Sequence, residues 1–170
     1  MLGGHFLSKA RMSDTPELTE VREAHRFDQQ ALFDYLQVNV EGFEGPVGIR
    51  QFEGGQSNPT FLLEAASGDY VVRKQPPGEL LPSEHQVNRE HRVMDALRNS
   101  DVPVPRMFAL CEDPSVIGTK FYVMEKVEGR VFTDLLLPTL SAAERGAIYK
   151  DLARILATLH CVDPVAVGLA

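Results

Sequence analysis

The spacing of hydrophobic residues along the chain is first helical, then strand-like, and later helical again. Behind Asp28, apolar residues recur every three or four positions over residues 29–37, which predicts an amphipathic helix with Asp28 as its N-cap. Next come three short segments whose alternating or β-branched apolar residues predict strands, at residues 47–52, 61–65 and 70–72. Turns rich in glycine and polar residues, at 53–58 and 67–69, separate these strands and favour antiparallel pairing.

A second helix is predicted beyond the Pro-Pro-Gly sequence that ends the third strand. Ser83 and Gln86 have the spacing of a capping box, and the apolar spacing behind them predicts a helix from about residue 84 to residue 99. The residues expected to face the sheet are Val87, Met94 and Leu97. Two further strands, at 107–111 and 121–124, complete a predicted five-stranded antiparallel sheet with one inserted helix.

The last third of the chain is predicted to be helical. Ser141 and Glu144 form a second capping-box pattern, and apolar residues follow at helical intervals until Asp163 and Pro164. These patterns predict an α+β protein with a disordered lead at residues 1–20, a sheet-containing lobe at 21–128, and a connector followed by the start of a helical lobe at 129–170.

Composition limits the kinds of partner. The 170 residues carry a formal net charge of −7, which argues against nucleic acid or an anionic membrane surface as partner, because both select for an excess of Lys and Arg. The apolar runs are too short for a membrane helix. Cys111 and Cys161 stand apart and are expected to be reduced thiols, so we expect a cytoplasmic protein.

The turn Gly54, Gly55, Gln56, Ser57 and Asn58 is the first candidate binding feature. Glycines let the backbone approach a phosphate closely, and successive backbone N–H groups and the serine hydroxyl can donate to its oxygens. Glycine pairs between strands are also common in plain hairpin turns. By itself this turn therefore leaves both interpretations open.

Arg73 and Lys74 at the end of the third strand, with Glu90 on the following helix, form the second candidate. In kinases a cation on this strand holds the ATP phosphates and is fixed by a helix carboxylate. Because side chains alternate along a strand, Arg73 and Lys74 cannot both point toward that helix, and the sequence leaves open which one does. The alternative is that all three are solvated surface charges.

The order of these parts indicates a kinase-like fold. The segments GGQSNPTFLL, YVVRKQPPGELLPSEHQVNREHRVMDAL and VPVPRMFALCEDPSVIGTKFYVMEKVEGRVF resemble the aminoglycoside phosphotransferase and choline kinase superfamily, especially the branch also found fused to acyl-CoA dehydrogenases. The segment LATLHCVDPVAVGLA near the end of the chain adds to this resemblance. The resemblance implies a protein-kinase-like N-terminal lobe followed by the first helices of an incomplete C-terminal lobe.

The resemblance also assigns roles. It makes residues 54–58 the nucleotide-positioning loop, Arg73 or Lys74 the phosphate-binding cation, and Glu90 the helix partner of that cation. A hinge that would hydrogen-bond adenine is implied at Met124, Glu125, Lys126 and Val127. ATP, Mg²⁺ and a small-molecule hydroxyl substrate are the implied cofactors and partner, and the fused branch suggests a hydroxylated acyl metabolite as the acceptor.

One part of the family pattern is missing. The family's catalytic His-Gly-Asp loop and its later metal-binding Asp do not occur in the 170 residues, so we expect a truncated chain, inactive alone, whose Mg²⁺ ligands lie elsewhere. His160 is typical of the family at its position, but we expect it to be a packed residue rather than a base.

If the chain is truncated, its final helix is isolated, and we expect that helix to expose an apolar stripe and promote self-association.

The missing loop also leaves other interpretations of the function and fold open. A non-catalytic nucleotide-binding or partner-docking module is the main alternative function. An unrelated antiparallel domain is the third reading.

Overall fold

An antiparallel sheet of six strands organises the computed structural model, which describes residues 16–53, 58–78, 86–132 and 134–169. The sheet order is β1-β2-β3-β4-β6-β5. The strands are β1 (Leu18–Thr19), β2 (Pro46–Phe52), β3 (Thr60–Ala65), β4 (Gly68–Lys74), β5 (Met107–Cys111) and β6 (Phe121–Glu125). The helices are α1 (Gln29–Asn39), α2 (Val87–Leu97) and α3 (Ala142–His160), with a short 3₁₀ turn at Glu23–His25.

The predicted strands are present, and the sheet gains one more. The sequence predicted five strands, whereas β1 pairs Leu18 with Phe52 and Thr19 with Gln51 at the edge of the sheet. This strand lies in the segment predicted to be a disordered lead. Two residues are too few to show an alternating pattern, so only their pairing with β2 identifies them as a strand.

One face of the sheet carries α1 and most of the core. The Asp28 carboxylate caps α1 as predicted, accepting a hydrogen bond of 3.0 Å from the backbone N–H of Ala31. The buried layer between α1 and the sheet is formed by side chains of both, including Leu32, Phe33, Leu36, Phe43, Ile49, Phe61, Leu63, Val72, Phe121 and Val123. Each such side chain contributes about 1.5–3 kcal/mol when fully buried, so this layer anchors α1 to the sheet.

The opposite face carries α2, which packs against β5 and β6. Val87 and Leu97 are buried as predicted and Met94 is half-buried. The helix begins at Val87 rather than at residue 84, and Gln86 occupies the N-cap position without a side-chain capping bond. Ser83, the predicted cap, lies outside the described residues.

The helix α3 has the predicted capping box and little packing. The Ser141 hydroxyl accepts from the Glu144 backbone N–H at 3.2 Å, and the Glu144 carboxylate accepts from the Ser141 N–H at 2.9 Å. None of its residues is buried, and Leu152 is 59% exposed. His160 is exposed, contrary to the expectation of a packed residue. Within the described residues, no helix is both long enough and apolar enough to cross a membrane.

Candidate functional site

The two neighbouring cations at the end of β4 point to opposite faces of the sheet. Lys74 shares the α1 face with Val72, and Arg73 shares the α2 face with Val71, as strand alternation requires. The Lys74 side chain is 2% exposed, and its Nζ lies 5.6 Å from the centroid of the Phe27 ring. Burial lowers the pKa of Lys74, because a charged ammonium loses its hydration there. The structure thus separates Lys74 from Glu90.

Arg73 is the cation that meets Glu90. Its Nε donates a 2.8 Å hydrogen bond to Oε2 of Glu90, and the two side chains are 27% and 36% exposed. The predicted ion pair between β4 and α2 is therefore present. Arg73 Nη1 also donates to the Thr60 hydroxyl at 3.1 Å, since Thr60 lies directly opposite Arg73 in the β3–β4 register.

Glu90 accepts two further hydrogen bonds that the sequence did not predict. The Tyr122 hydroxyl donates to Oε2 at 3.0 Å, and Asn58 Nδ2 donates to Oε1 at 3.0 Å. Burial raises the pKa of Tyr122 far above its usual value, and the nearby Glu90 carboxylate raises it further. The phenol therefore stays protonated and can donate. Tyr122 faces Arg73 across the β4–β6 register, a relationship that becomes visible only once the strands pair.

A cavity of about 560 Å³ opens beside this cluster, between α2 and the sheet. Arg73, Arg89 and Glu90 form its charged side, and Met94, Tyr122 and Met124 form part of its apolar side. Such a concave site, with apolar walls and a few charged groups at one end, suits a ligand that joins a flat apolar ring to an anionic group.

The predicted hinge, residues 124–127, overlaps the last two residues of β6. Met124 and Glu125 are still paired with β4, opposite Val71 and Tyr70, and the Glu125 N–H donates to the Arg106 carbonyl at 2.8 Å. Lys126 and Val127 lie beyond the last paired residue.

The side chain of Lys126 is held at the start of this segment. Its Nζ contacts Asp69 at 2.8 Å and Glu128 at 2.7 Å. The hydrogen bonds that Lys126 donates to both carboxylates raise its pKa. The side chain therefore remains a cation tied to the β3–β4 turn.

Most of the glycine turn lies outside the described residues. This applies to Gly54, Gly55, Gln56 and Ser57, and of the predicted loop only Asn58 is described, with 2% of its surface exposed. Asn58 thus links the end of the turn to Glu90.

The sequence and structure of known proteins place this chain in a family. The model of the phosphotransferase enzyme family (APH) matches residues 48–170. The chain belongs to the phosphotransferase enzyme family. A crystal structure from Ralstonia eutropha JMP134, of a protein assigned as an aminoglycoside phosphotransferase, is 50% identical, with a TM-score of 0.73 over 85% of this chain and 41% of that one. Membership excludes the reading of an unrelated antiparallel domain.

Relatives of this phosphotransferase-family chain include much longer proteins. It is 50% identical over 166 residues to the probable acyl-CoA dehydrogenase IBR3 of Arabidopsis thaliana, covering 92% of the chain and 20% of the relative. It is 48% identical over 151 residues to human acyl-CoA dehydrogenase family member 11, covering 86% and 19%. The chain therefore spans about one fifth of the length of these relatives.

The described part of this phosphotransferase-family chain offers no metal centre. Among those residues, no group of three or more His, Cys, Asp or Glu side chains converges as a metal site would require. Cys111 is buried, Cys161 is exposed, and both are free thiols.

Proposed function

We propose that this chain is the ATP-binding lobe of a phosphotransferase that acts on a hydroxyl group of a small molecule. The Arg73–Glu90 pair, 2.8 Å apart at the charged end of the cavity, is the observation that carries this proposal. A guanidinium fixed by a helix carboxylate offers phosphate oxygens an oriented cation, which is the use that kinases make of this position. Lys74 has no part in the proposed site because it lies on the other face of the sheet.

The other proposed contacts with ATP are assigned from the positions of residues along the chain. Residues 54–57 would present backbone N–H groups to the phosphates from the β2–β3 turn. Adenine would lie against the apolar wall at Met124, which lines the cavity. The backbone groups of Lys126 and Val127, just beyond the sheet pairing, are the ones we propose for the adenine edge, because the Glu125 N–H already donates to Arg106.

Catalysis is proposed to need residues that these 170 positions do not contain. No His-Gly-Asp motif occurs in the sequence, and phosphoryl transfer requires a group that orients the attacking hydroxyl. ATP and Mg²⁺ are the cofactors that the family implies. We propose that the chain alone binds ATP weakly and transfers no phosphate.

The acceptor is proposed to be a hydroxylated acyl compound. Two relatives bear the name acyl-CoA dehydrogenase, and this chain covers only 20% and 19% of their lengths. A kinase and a dehydrogenase joined in one chain would act on related metabolites, which favours an acyl substrate over an aminoglycoside. The alternative is a nucleotide-binding or partner-docking module without catalysis.

Titration calorimetry and a transfer assay test the proposal. The 170-residue protein and its Arg73→Ala variant are titrated with ATP, and then assayed with ATP, Mg²⁺ and hydroxylated acyl, amino-alcohol and aminoglycoside acceptors. We expect weak ATP binding that Arg73→Ala abolishes, and no transfer. Absence of ATP binding in the unmodified protein would favour the docking alternative, and transfer that depends on Arg73 would place catalytic groups within the chain.

A further inference from the structure

We propose that Asn58, Thr60 and Tyr122 are positioning residues that keep the Arg73–Glu90 pair assembled before any nucleotide binds. This inference rests on the proposed function, because it concerns how the ATP-binding face is held ready. It assigns roles to three side chains that the strand cation and its helix carboxylate do not by themselves imply.

The argument starts from a closed ring of hydrogen bonds. Arg73 donates to Glu90 at 2.8 Å through Nε and to Thr60 at 3.1 Å through Nη1. The Thr60 hydroxyl donates to the Asn58 carbonyl at 3.2 Å, and Asn58 Nδ2 returns to Glu90 at 3.0 Å. The ring joins β3, β4, α2 and the end of the glycine turn, so none of these can shift alone without breaking a bond.

The ion pair by itself would hold α2 to the sheet only weakly. Its two side chains are 27% and 36% exposed, and at such exposure solvent screening and side-chain entropy offset most of the attraction. The added donors change this balance. Tyr122 occupies Glu90 Oε2 beside Arg73, and Asn58 occupies Oε1, so both carboxylate oxygens have protein partners.

Asn58 has the position that matters most for a ligand. It follows Ser57 directly, is 2% exposed, and its side chain reaches α2 while its carbonyl accepts from Thr60. The end of the glycine turn is therefore tethered to the same carboxylate that fixes the cation. A nucleotide would meet a site in which Asn58, the cation and the start of α2 are already held together, which lowers the ordering cost of binding.

The ring predicts that α2 stays docked in the ligand-free protein. Glu90 is on the first turn of α2, four residues after the N-cap Gln86. Holding Glu90 at three points restrains the start of the helix, where the backbone has the fewest internal hydrogen bonds.

The first experiment uses no nucleotide. Exchange of the Arg73 side-chain Nε–H with solvent is followed by NMR in the full 170-residue chain, together with amide exchange at the start of α2. The variants are Tyr122→Phe, Asn58→Asp and the pair Thr60→Val and Thr60→Ser. Tyr35→Phe is the matched control, because it removes a phenol that donates to the Leu110 carbonyl at 3.1 Å on the α1 face.

We expect Nε–H exchange to quicken in Tyr122→Phe, and most in Asn58→Asp, which sets a second carboxylate against Glu90. Thr60→Val should quicken it and Thr60→Ser should restore the slow exchange, since serine keeps the hydroxyl. Tyr35→Phe should leave it unchanged. Equal exchange in Asn58→Asp, Tyr122→Phe and the unmodified protein would overturn the proposal, as would identical behaviour of Thr60→Val and Thr60→Ser.

The second experiment measures the dissociation constant of ATP for the same variants. We expect Asn58→Asp to weaken binding about tenfold, a change of about 1.4 kcal/mol, and Thr60→Ser to bind as the unmodified chain does. Variants that quicken Nε–H exchange yet bind ATP with unchanged affinity would refute the positioning role. If the unmodified protein binds no ATP, the proposed function fails, while the exchange measurements still decide whether the ring holds the pair.

Discussion

Arg73 on β4 donates to Glu90 on α2 across 2.8 Å, and it does so from the α2 face of the sheet while its neighbour Lys74 is buried beneath α1. Two adjacent cations thus have opposite environments. Arg73 is partly solvated, paired and beside a cavity, whereas Lys74 is buried with its Nζ 5.6 Å from the centroid of the Phe27 ring. Only the first is suited to hold an anionic ligand.

Arg73→Lys should weaken ATP binding by about tenfold even though it keeps the charge. A lysine ammonium cannot reproduce the fork by which Nε contacts Glu90 and Nη1 contacts Thr60. Calorimetric titration measures the loss, and Lys74→Met serves as the control because its side chain lies on the other face. Equal losses in Arg73→Lys and Lys74→Met would contradict the assignment of Arg73.

Lys74→Met should stabilise the protein at neutral pH by about 1 kcal/mol or more, because it replaces a buried charge with an apolar chain of similar length. Urea unfolding followed by circular dichroism measures the change. Lys150→Met on the exposed surface of α3 is the control and should leave stability nearly unchanged.

The stability gain of Lys74→Met over the unmodified protein should depend on pH with a defined sign. Burial lowers the pKa of Lys74 in the folded protein from 10.5, so the unfolded chain binds more protons between the lowered value and 10.5. The stability contribution of Lys74 therefore rises with pH across that window. The advantage of Lys74→Met should shrink as pH increases, and an advantage independent of pH would exclude the buried ammonium as its cause.

Ser141→Ala should loosen the start of α3. The hydroxyl caps the Glu144 N–H, and α3 has no buried residue whose packing would compensate. Amide hydrogen exchange over residues 142–148 should become faster, whereas Ser141→Asp should retain slow exchange because aspartate is also a good N-cap. Unchanged exchange in Ser141→Ala would show that other contacts hold this end.

The capping box should also be sensitive to acid. Hydrogen bonds from the Ser141 side chain and backbone lower the pKa of Glu144 from 4.5. The contribution of the ionised Glu144 carboxylate to stability is therefore complete above the pKa of the unfolded chain. It is lost as the pH falls through the lowered pKa of the folded protein. Protection factors at the start of α3, which correct for the intrinsic pH dependence of amide exchange, should fall in that acidic range, and should fall less in Glu144→Gln.

The exposed face of α3 should drive self-association of the isolated chain. Tyr149, Leu152, Leu156 and Leu159 recur at helical spacing and are 40–59% exposed. Analytical ultracentrifugation should show a concentration-dependent rise in mass that Leu152→Lys combined with Leu156→Lys suppresses. Ala147→Lys combined with Ala157→Lys adds the same charge on another side and should not suppress it. A monomer at all concentrations would contradict the prediction.

Local signals were sufficient where they act over a few residues. The Asp28 cap and the Ser141–Glu144 box predicted α1 and α3, because a cap bonds the backbone two or three residues away whatever the rest of the fold does. Alternating or β-branched apolar residues predicted β3 and β4, because these too are patterns among a few neighbouring residues. The order of these elements was enough to indicate a kinase-like lobe, and the family match agrees.

The sequence alone determined that β4 ends with two cations on opposite faces and that a glutamate follows on a helix. Only the tertiary structure decided that Arg73 faces the glutamate, because alternation has two phases and the core beneath α1 selects one of them. Strand register also brought Tyr122 opposite Arg73, and helix docking brought Asn58 and Tyr122, each 32 positions from Glu90, into contact with that residue. Contacts at such separations depend on how elements pack, and no local pattern of residues encodes them.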